Sequence, residues 1–376
     1  MSMLKPDMAR NEGGRDENYR RGLHTRQQSI AMLDDQTGEL VERELPHEGE
    51  QVRNFYSTLP KPVLVGLEAT GSMRWFLQLL EELGIDFRVG HPAQIRAAEP
   101  RKQKNDRRDA RLLLTLLAEN RFPAIWMPSS AQRDLQILLR HRDQLVRLRT
   151  RGQLSLQAVA LSHGLRRGSA LWNRKGQQAL RALPLAPQAG LQRDTLLALH
   201  PQLQTPIAAL DREVAQQAEQ RPRAQRLMTH PGVGPITALA TEVFLGDPRR
   251  FADGKAVASY VGMIPSERSS GGRQRGGKLS KQGNSLLRFL WGEAAIHAVR
   301  RDPELQRFYR LKLVQKGLGK ARMAAARKLG IRLWIMLRDE IDYAEFCRRG
   351  HPQRQSSGTA WAGMPAVGQW SNGPSV

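Results

Sequence analysis

The sequence predicts three consecutive regions: a mixed α/β domain, a long helical segment and a mostly α-helical C-terminal domain. Three observations predict this order. Short apolar runs bounded by turn residues alternate with helical patterns through residue 128, which is typical of an α/β domain. Leucines then recur at steps of three and four, the spacing of packed helices. From residue 226 to about residue 343 helical patterns dominate again, around two glycine-rich stretches.

The first region, residues 22–128, contains alternating strand and helix patterns. The stretch "QSIAMLDDQTGELVEREL", from Gln28 to Leu45, predicts a β-hairpin with "DDQTG" as its turn. A buried strand from Val63 to Leu67 then ends at Glu68. The patterns "MRWFLQLLEELG", "IDFRVG" and "DRRDARLLLTLLAEN" follow as a helix, a strand and a second helix. We therefore expect a mixed sheet, preceded by a polar, disordered segment over residues 1–21.

The middle region, residues 129–225, carries two apolar stripes at helical spacing, which predict a coiled coil or a long helical hairpin. The stripes are Leu135, Leu138, Leu145 and Leu148, and then Leu196, Leu199, Leu203, Ile207, Leu210 and Val214. Pro201 and Pro206 predict a break in the second stripe, so a continuous helix is expected to start near Pro206. The stripes can pack within one chain or between two chains, and the sequence leaves both alternatives open.

The third region, residues 226–343, contains a glycine turn between two helical patterns in "HPGVGPITA". This pattern predicts a helix-hairpin-helix, in which the amides of Gly232 and Gly234 can approach a DNA phosphate because no Cβ is in the way. The alternative is an ordinary glycine-rich turn. The tail, residues 344–376, has no periodicity and is predicted to be disordered.

The charge of the chain indicates a polyanionic partner. Lys and Arg number 59 against 36 Asp and Glu, which gives a net charge of +23. Such a surplus lies at the surface, where it favours nucleic acid over a membrane. No apolar run approaches the ~18 residues of a membrane span, and the N-terminus has no secretion signal. The single cysteine, Cys347, excludes an internal disulfide and a cysteine zinc cluster. We therefore expect a cytoplasmic, nucleoid-associated protein.

Three acidic residues form a candidate metal site. Asp106 and Asp109 lie three apart at a helix start, within "RKQKNDRRDARLLLTLL", and Glu68 lies at the end of the buried strand. Carboxylates at this spacing can point the same way, and ligand-binding groups collect at the carboxyl ends of strands. Hard oxygen ligands suit Mg²⁺. The alternative is structural: Asp106 caps the helix and Asp109 pairs with a neighbouring arginine.

A second candidate site is the stretch "SERSSGGRQRGGKLSKQG", from Ser266 to Gly283. Its composition predicts a mobile loop that does not support itself by packing. Five basic residues are candidates for phosphate contacts: Arg268, Arg273, Arg275, Lys278 and Lys281. A hydroxyl of Ser269, Ser270 or Ser280 could attack phosphorus, although it needs activation by groups from outside the loop. A solvated linker is the alternative.

Four motifs in this order resemble one family, the DEDD transposases of insertion sequences of the IS110 type. They are "VGLEATGS", "KNDRRDARLLLTLL", "PGVGPITA" and "SSGGRQRGGKLSKQGNSLLR". The resemblance covers roughly residues 22–343. It implies an RNase-H-like (RuvC-like) N-terminal domain, a coiled-coil segment and a C-terminal transposase domain.

The resemblance also implies functional residues and partners. Glu68, Asp106 and Asp109 fall on three acidic positions that are catalytic and hold Mg²⁺, and Ser270 falls on a serine that forms a covalent phosphoserine link with DNA. The implied function is DNA cleavage and strand transfer on double-stranded DNA, guided by a structured RNA. The implied assembly is a homo-oligomer, a dimer or tetramer, in which the acidic site of one subunit meets the serine of another.

One departure concerns the first acid of the family pattern. In "NYRRGLHTRQQSIAML", Gly22 stands where the family has an aspartate, and Arg20 and Arg21 do not suit a buried strand. Losing one carboxylate weakens metal binding, so we expect a chain that binds nucleic acid and cleaves poorly. Two alternatives to an active transposase therefore remain: a catalytically degraded nucleic-acid-binding remnant, and a nuclease like a Holliday-junction resolvase that uses the carboxylates without the serine.

Overall fold

The structure, a computed structural model, describes residues 2–4, 6–8, 27–34, 37–71, 73–99, 106–165, 168–267 and 276–350. The chain divides into two compact units, Met1–Arg133 and Asp134–Val376. Each unit is described by itself.

A six-stranded mixed sheet forms the centre of the first unit. Its strands are β1 (Ser2–Leu4), β2 (Pro6–Met8), β3 (Gln27–Asp34), β4 (Leu40–Pro46), β5 (Val63–Glu68) and β6 (Asp86–Gly90). β3 and β4 pair antiparallel, which confirms the predicted hairpin. β1 and β2 pair antiparallel with β3 in succession, along the edge that β4 leaves free. β1 is also parallel to β5, and β5 is parallel to β6.

Helices cover both faces of this sheet. They are α1 (Gln51–Ser57), α2 (Arg74–Glu82), α3 (Pro92–Ala98) and α4 (Asp106–Ala118). On one face, Val63 and Val65 of β5 share a core with residues of α1 and α2. On the other face, Leu64 packs against a cluster from α3 and α4 that includes Leu117. The predicted mixed α/β domain is confirmed, while the short helices α1 and α3 were not predicted.

α4 crosses the sheet from β4 to β5. Near its start, Arg107 lies 3.7 Å from a carboxylate oxygen of Glu44 on β4. Near its end, Leu117 lies directly over Gly66, where an added Cβ would be 2.4 Å from the leucine Cδ1. Glycine at position 66 therefore allows the close contact between the end of α4 and β5.

The N-terminal residues differ from the predicted disorder at six positions, because β1 and β2 have strand backbone. Strand pairing uses backbone groups that every residue except proline supplies in full, so a segment without an apolar pattern can still fill the edge of β3. Residues 9–26, including Gly22, lie outside the described residues.

The second unit is mostly helical, as predicted. Its helices, counting α5 across the boundary, are α5 (Ser130–Ser162), α6 (Arg174–Arg181), α7 (Pro187–Glu219), α8 (Pro222–Met228), α9 (Pro235–Leu245), α10 (Gly254–Tyr260), α11 (Ser285–Ala298), α12 (Pro303–Lys316), α13 (Leu318–Arg338) and α14 (Tyr343–Gly350). Gly168–Trp172 and Pro248–Arg250 are 3-10 helices, and β7 (Pro265–Glu267) pairs antiparallel with β8 (Gly276–Leu279). None of the described helices combines the length and apolar character needed to cross a membrane.

The two apolar stripes pack within the chain, as an antiparallel pair of α5 and α7. Arg142 donates to Asp211 at 2.7 Å, and Gln153 lies 3.0 Å from His200. Residue numbers rise along α5 while those of the contacting residues fall along α7, so the two helices are antiparallel. Of the second stripe, Ile207 and Val214 are buried.

The predicted break in α7 was wrong, because the helix runs through Pro201 and Pro206 without interruption. A proline inside a helix removes a backbone hydrogen bond, but the turns on both sides of Pro201 are held by α5. His200 contacts Gln153 and Gln204 accepts from Arg149 at 3.0 Å. Packing along one neighbour therefore keeps a common helix axis.

The main core of the second unit surrounds Trp291, which is fully buried and donates to the hydroxyl of Thr241 at 2.9 Å. The last helix, α14, packs on this core through Tyr343 and Phe346. Disorder was predicted from residue 344, so residues 344–350 differ from that prediction, and residues 351–376 lie outside the described residues. Tyr343 and Phe346 are three residues apart and therefore lie on one face of the helix, which packs although its other residues are mostly polar.

Candidate active site and nucleic-acid interface

Glu68 and Asp109 are half-buried carboxylates on elements that touch each other, β5 and α4. Neither makes a hydrogen bond or ion pair with any described residue. The nearby arginines have other partners, since Arg107 and Arg111 pair with glutamates of β4. The hydrogen bond from Arg111 lowers the pKa of its partner Glu42. The structural alternative, in which Asp109 pairs with a neighbouring arginine, is thus not seen in the described part of the chain.

The third predicted ligand, Asp106, is the first residue of α4, and its side chain lies outside the described set. Among the described residues, no group of three or more His, Cys, Asp or Glu side chains could hold a metal ion. The donor chemistry of Glu68 and Asp109 suits Mg²⁺, which binds through one or two carboxylates together with substrate phosphate. Two of the three predicted ligands, Glu68 and Asp109, therefore have described side chains.

A further acidic residue, which sequence reasoning missed, lies at the same level of the sheet. Asp7 of β2 pairs with Ser29 of β3. Leu4 of β1 pairs with Val65 of β5 in a parallel ladder. Three residues further along the same register, Asp7 is level with Glu68. Ser29 also pairs with Glu44 of β4, the glutamate that contacts Arg107 in the first turn of α4. The backbone register therefore places Glu44, Ser29, Asp7 and Glu68 in one row across the sheet.

Ser29 itself is buried, and its hydroxyl has no hydrogen-bond partner among the described residues. An unpaired buried hydroxyl is costly, so such a group is often part of a site that binds water or a ligand. The only sequence signal for Asp7 is its place in "SMLKPDM", where three apolar residues and a proline do not predict a strand. The place of Asp7 in the sheet depends on pairing with β3, which is distant in the sequence.

The serine-containing stretch is the loop of the β7–β8 hairpin. Ser269, Ser270, Arg268, Arg273 and Arg275 belong to residues 268–275, outside the described part of the chain. The expectation of a loop throughout 266–283 was wrong for Ser266, Glu267 and Gly276–Leu279, which belong to the paired strands β7 and β8. The backbone hydrogen bonds of the hairpin supply the support that the composition did not reveal.

Lys278 and Lys281, at the outgoing side of this hairpin, are exposed, and their ammonium groups have no hydrogen-bond or ion-pair partner in the described structure. Their ammonium groups are therefore free to contact phosphate, as predicted for this stretch. Ser280, one of the three candidate nucleophiles, has a buried hydroxyl without a described partner. Burial keeps that oxygen away from a DNA backbone, which favours Ser269 or Ser270.

The base of the hairpin is held by close backbone contacts. Gly262 and Gly283 both have positive φ, +75° and +116°, and a Cβ on either would lie about 2 Å from a carbonyl oxygen of the opposing segment. Arg288 donates to the carbonyl of Val261 at 2.7 Å, and burial lowers the pKa of this arginine. These contacts fix the backbone at the base of the hairpin.

The two glycines of "HPGVGPITA" occupy different environments. Gly232 has φ +84°, and an added Cβ would lie 2.5 Å from the amide nitrogen of Ala298 on α11. Gly234 is the residue before α9, and an added Cβ would meet nothing within 4 Å. Internal packing accounts for glycine at position 232, whereas position 234 is open to an approaching phosphate.

His230, in the same turn, is buried against the ring of Tyr343 at 4.5 Å between centroids. Burial lowers its pKa to about 4, so the imidazole is neutral near pH 7. Its Nδ1 lies 3.0 Å from the carbonyl of Pro231, and its Nε2 has no described partner. The turn is thus anchored to α14, which the sequence did not indicate.

Comparison with known proteins is consistent with an enzyme that acts on DNA. A family model described as the IS116/IS110/IS902 family of transposases matches residues 224–310, and a DEDD transposase model of the IS110 type matches residues 23–163. These two matches span the acidic residues of the first unit and the glycine turns of the second. The class of protein is therefore transposase.

Individual relatives agree. A Pseudomonas aeruginosa protein, "Probable family 20 transposase", is 31% identical over 303 residues, 78% of this chain and 89% of that protein. The transposase of insertion sequence element IS1111A from Coxiella burnetii is 25% identical over 74% of this chain and 79% of its own length. The transposase of IS1328 from Yersinia enterocolitica is 25% identical over 65% of this chain and 73% of its own. The chain belongs to the IS110 family of insertion-sequence transposases.

Proposed function

We propose that this chain cleaves and rejoins double-stranded DNA by phosphoryl transfer, using a Mg²⁺-binding carboxylate cluster and the hydroxyl of Ser270. The observation that carries the proposal is the pair of half-buried, unpaired carboxylates, Glu68 and Asp109, on adjoining elements. Carboxylates without a cationic partner leave their oxygens available as ligands for a metal ion. The mixed sheet with helices on both faces supports an RNase-H-like architecture around them.

The roles of the groups follow from their chemistry. A bound Mg²⁺ would neutralise charge on the phosphate and lower the pKa of a coordinated hydroxyl. The hydroxyl oxygen of Ser270 would form the new bond to phosphorus as the bond to the leaving oxygen of the strand breaks. That oxygen would depart as a hydroxyl group, and its return would rejoin the strand and free the serine. Lys278 and Lys281, with the arginines of residues 268–275, would hold the backbone phosphates.

Metal binding can be measured directly with Mn²⁺ as the probe, by paramagnetic resonance of the full-length protein without DNA. Glu68→Gln and Asp109→Asn should each weaken Mn²⁺ binding at least tenfold, the loss expected for a ligand carboxylate. Glu39→Gln removes the same charge at an exposed position of the same unit and should leave binding unchanged. Equal, small effects in all three variants would refute the carboxylate site.

The serine is tested by trapping a protein–DNA adduct on denaturing gels with end-labelled duplex DNA and the cognate RNA. Wild-type protein and Ser269→Ala should give the adduct, and Ser270→Ala should not. Cleavage that persists in Ser270→Ala would favour the resolvase-like nuclease. Two results together would favour the second candidate function, a nucleic-acid-binding remnant suggested by Gly22: tight DNA binding, and no Mn²⁺ binding by the wild type.

A homo-oligomer and a structured guide RNA complete the proposal. Both come from the resemblance. The surplus of 23 positive charges supports an RNA partner, because a protein that binds DNA and RNA together must neutralise the phosphates of both. Mass photometry with and without the element's own RNA would detect both. A protein that stays monomeric and binds this RNA no better than an unrelated RNA of equal length would contradict these two parts.

A further inference from the structure

The helical unit contains a cavity of about 750 Å³ between α12, α13 and α14. This size lies within the ~300–1,000 Å³ typical of small-molecule sites. The apolar part of its wall is formed by Phe308, Ala324, Ile331, Ile335, Tyr343 and Phe346. Three of these six side chains are aromatic, so the cavity offers flat apolar surfaces as well as aliphatic ones.

One side of the cavity is a preformed polar network. The buried Arg332 donates to Asp302 and, at 2.6 Å, to Glu304. The hydroxyl of Tyr343 donates to Asp302 at 2.8 Å, and Asp302 also accepts from the amide of Leu305 at 2.7 Å. Burial by itself would raise the pKa of Asp302, but these donors outweigh burial and the pKa is lowered. The network is satisfied internally and holds the wall in place.

The charge of the wall does not balance. Arg327, Lys328 and Arg332 are cationic, while Asp302 and Glu304 are anionic. Lys328 pairs with Glu304 at 2.7 Å, and Arg332 bridges both acids. Arg327 is half-buried and has no hydrogen-bond or ion-pair partner among the residues that the structure describes. The cavity therefore suits a ligand with a flat apolar body and one anionic group.

We propose that this cavity binds one unpaired nucleotide of a single-stranded nucleic acid, with the base against the aromatic wall and its phosphate on Arg327. The inference rests on the proposed function only in that the chain acts on nucleic acid. A nucleotide combines the required planar body and anion, and bases stack on aromatic side chains whatever their sequence. DNA and RNA share this chemistry, so either strand type is an admissible source.

The position of the ligand can be mapped by photo-crosslinking. Full-length protein is irradiated with a single-stranded 12-mer that carries one 5-iodouracil, as DNA in one arm and RNA in the other, and crosslinked peptides are identified by mass spectrometry. Crosslinks should fall on Phe308, Tyr343 or Phe346 in at least one arm, which also identifies the source. Crosslinks confined to other peptides in both arms would overturn the proposal.

Two variants with a matched control test the contribution of the cavity. Ala324→Phe fills it without changing charge, and Arg327→Gln removes the free cation without removing a packed side chain. Each should weaken single-strand binding about tenfold, the order of one lost stacking or phosphate contact. Arg310→Gln removes the same charge from an exposed position on α12 outside the cavity and should have little effect.

The outcome is separable from the proposed catalytic function. Where the crosslinks identify DNA as the source, adduct formation through Ser270 on a fully paired duplex should persist in Ala324→Phe, because the duplex offers no unpaired base to the cavity. If Arg327→Gln behaves like Arg310→Gln, and Ala324→Phe folds with wild-type single-strand affinity, the cavity proposal is wrong whatever the adduct assay shows. If crosslinks map to the cavity in a protein that forms no adduct, the cavity proposal stands and the catalytic one falls.

Discussion

Replacing Gly232 by alanine should destabilise the helical unit, whether or not this glycine contacts DNA. Its backbone has φ +84°, a conformation in which a Cβ collides with the following carbonyl. In addition, the new Cβ would lie 2.5 Å from the amide nitrogen of Ala298 and 2.8 Å from the carbonyl oxygen of Ala294. Both neighbours are backbone atoms of α11, which cannot turn aside as the end of a side chain can.

The size of the effect follows from two contributions. The left-handed conformation costs a residue with a Cβ about 1–2 kcal/mol, and forcing extra volume into a packed site costs typically 1–3 kcal/mol. The free energy of unfolding should therefore fall by about 2–5 kcal/mol. For a unit of this size, a loss of ~3 kcal/mol corresponds to a decrease in Tm of roughly 10 °C.

Gly234→Ala is the matched comparison, two residues along the same turn. Its φ is −98°, and the added Cβ meets nothing within 4 Å. The expected loss is at most ~1 kcal/mol, because alanine is a poorer residue than glycine before a helix. If the amide of Gly234 approaches a phosphate, the added methyl should weaken duplex binding about tenfold, the equivalent of ~1.4 kcal/mol for a hydrogen bond to a charged group.

The assays are thermal unfolding and duplex affinity by fluorescence anisotropy at one fixed salt concentration. A wild-type Tm for Gly232→Ala would refute the contact with α11 from which the magnitude was worked out. Unchanged duplex affinity in a folded Gly234→Ala protein would show that the turn is purely structural, and the predicted phosphate contact would be wrong.

Three further predictions concern the helical unit. Burial lowers the pKa of His230 from 6.5 to about 4, so the unfolded chain binds this proton first as the pH falls, and folding stability is lost between pH 6.5 and 4. At ~1.4 kcal/mol per pH unit, the free energy of unfolding measured with denaturant should fall by roughly 3 kcal/mol between pH 7 and pH 4. The His230→Gln protein should not show this decrease, and equal decreases in both proteins would refute the prediction. The register of α5 and α7 places Leu154 level with Leu199, and both side chains are exposed. Replacing both by aspartate should reduce the mass of the proposed homo-oligomer in light scattering. An unaltered mass would show that the interface does not include these leucines. Replacing Lys278 and Lys281 by glutamine should reduce the slope of log affinity against log salt by about 2, since each phosphate contact contributes about 0.9; an unchanged slope would exclude both lysines from the DNA contact.

Local pattern was sufficient for much of the first unit. The β3–β4 hairpin, the buried strand β5 and the helix α4 all appear where alternation and helical spacing predicted them. The order of four short motifs was sufficient for the family. Local pattern was not sufficient for α7, where two prolines predicted a break that packing on α5 overrides.

The sequence by itself determined the class of the protein, since charge, periodicity and motif order are properties of the chain before it folds. Only the tertiary structure decided which charged side chains pair with each other and which have no described partner. In the folded chain the carboxylates of Glu68 and Asp109 have no described partner, because Arg107 pairs with Glu44 instead. Strand pairing also places Asp7 level with Ser29. The tertiary structure also divided two similar glycines into a packed one and an open one. These choices depend on contacts between residues far apart in the chain, and no local pattern records which distant neighbour a side chain will meet.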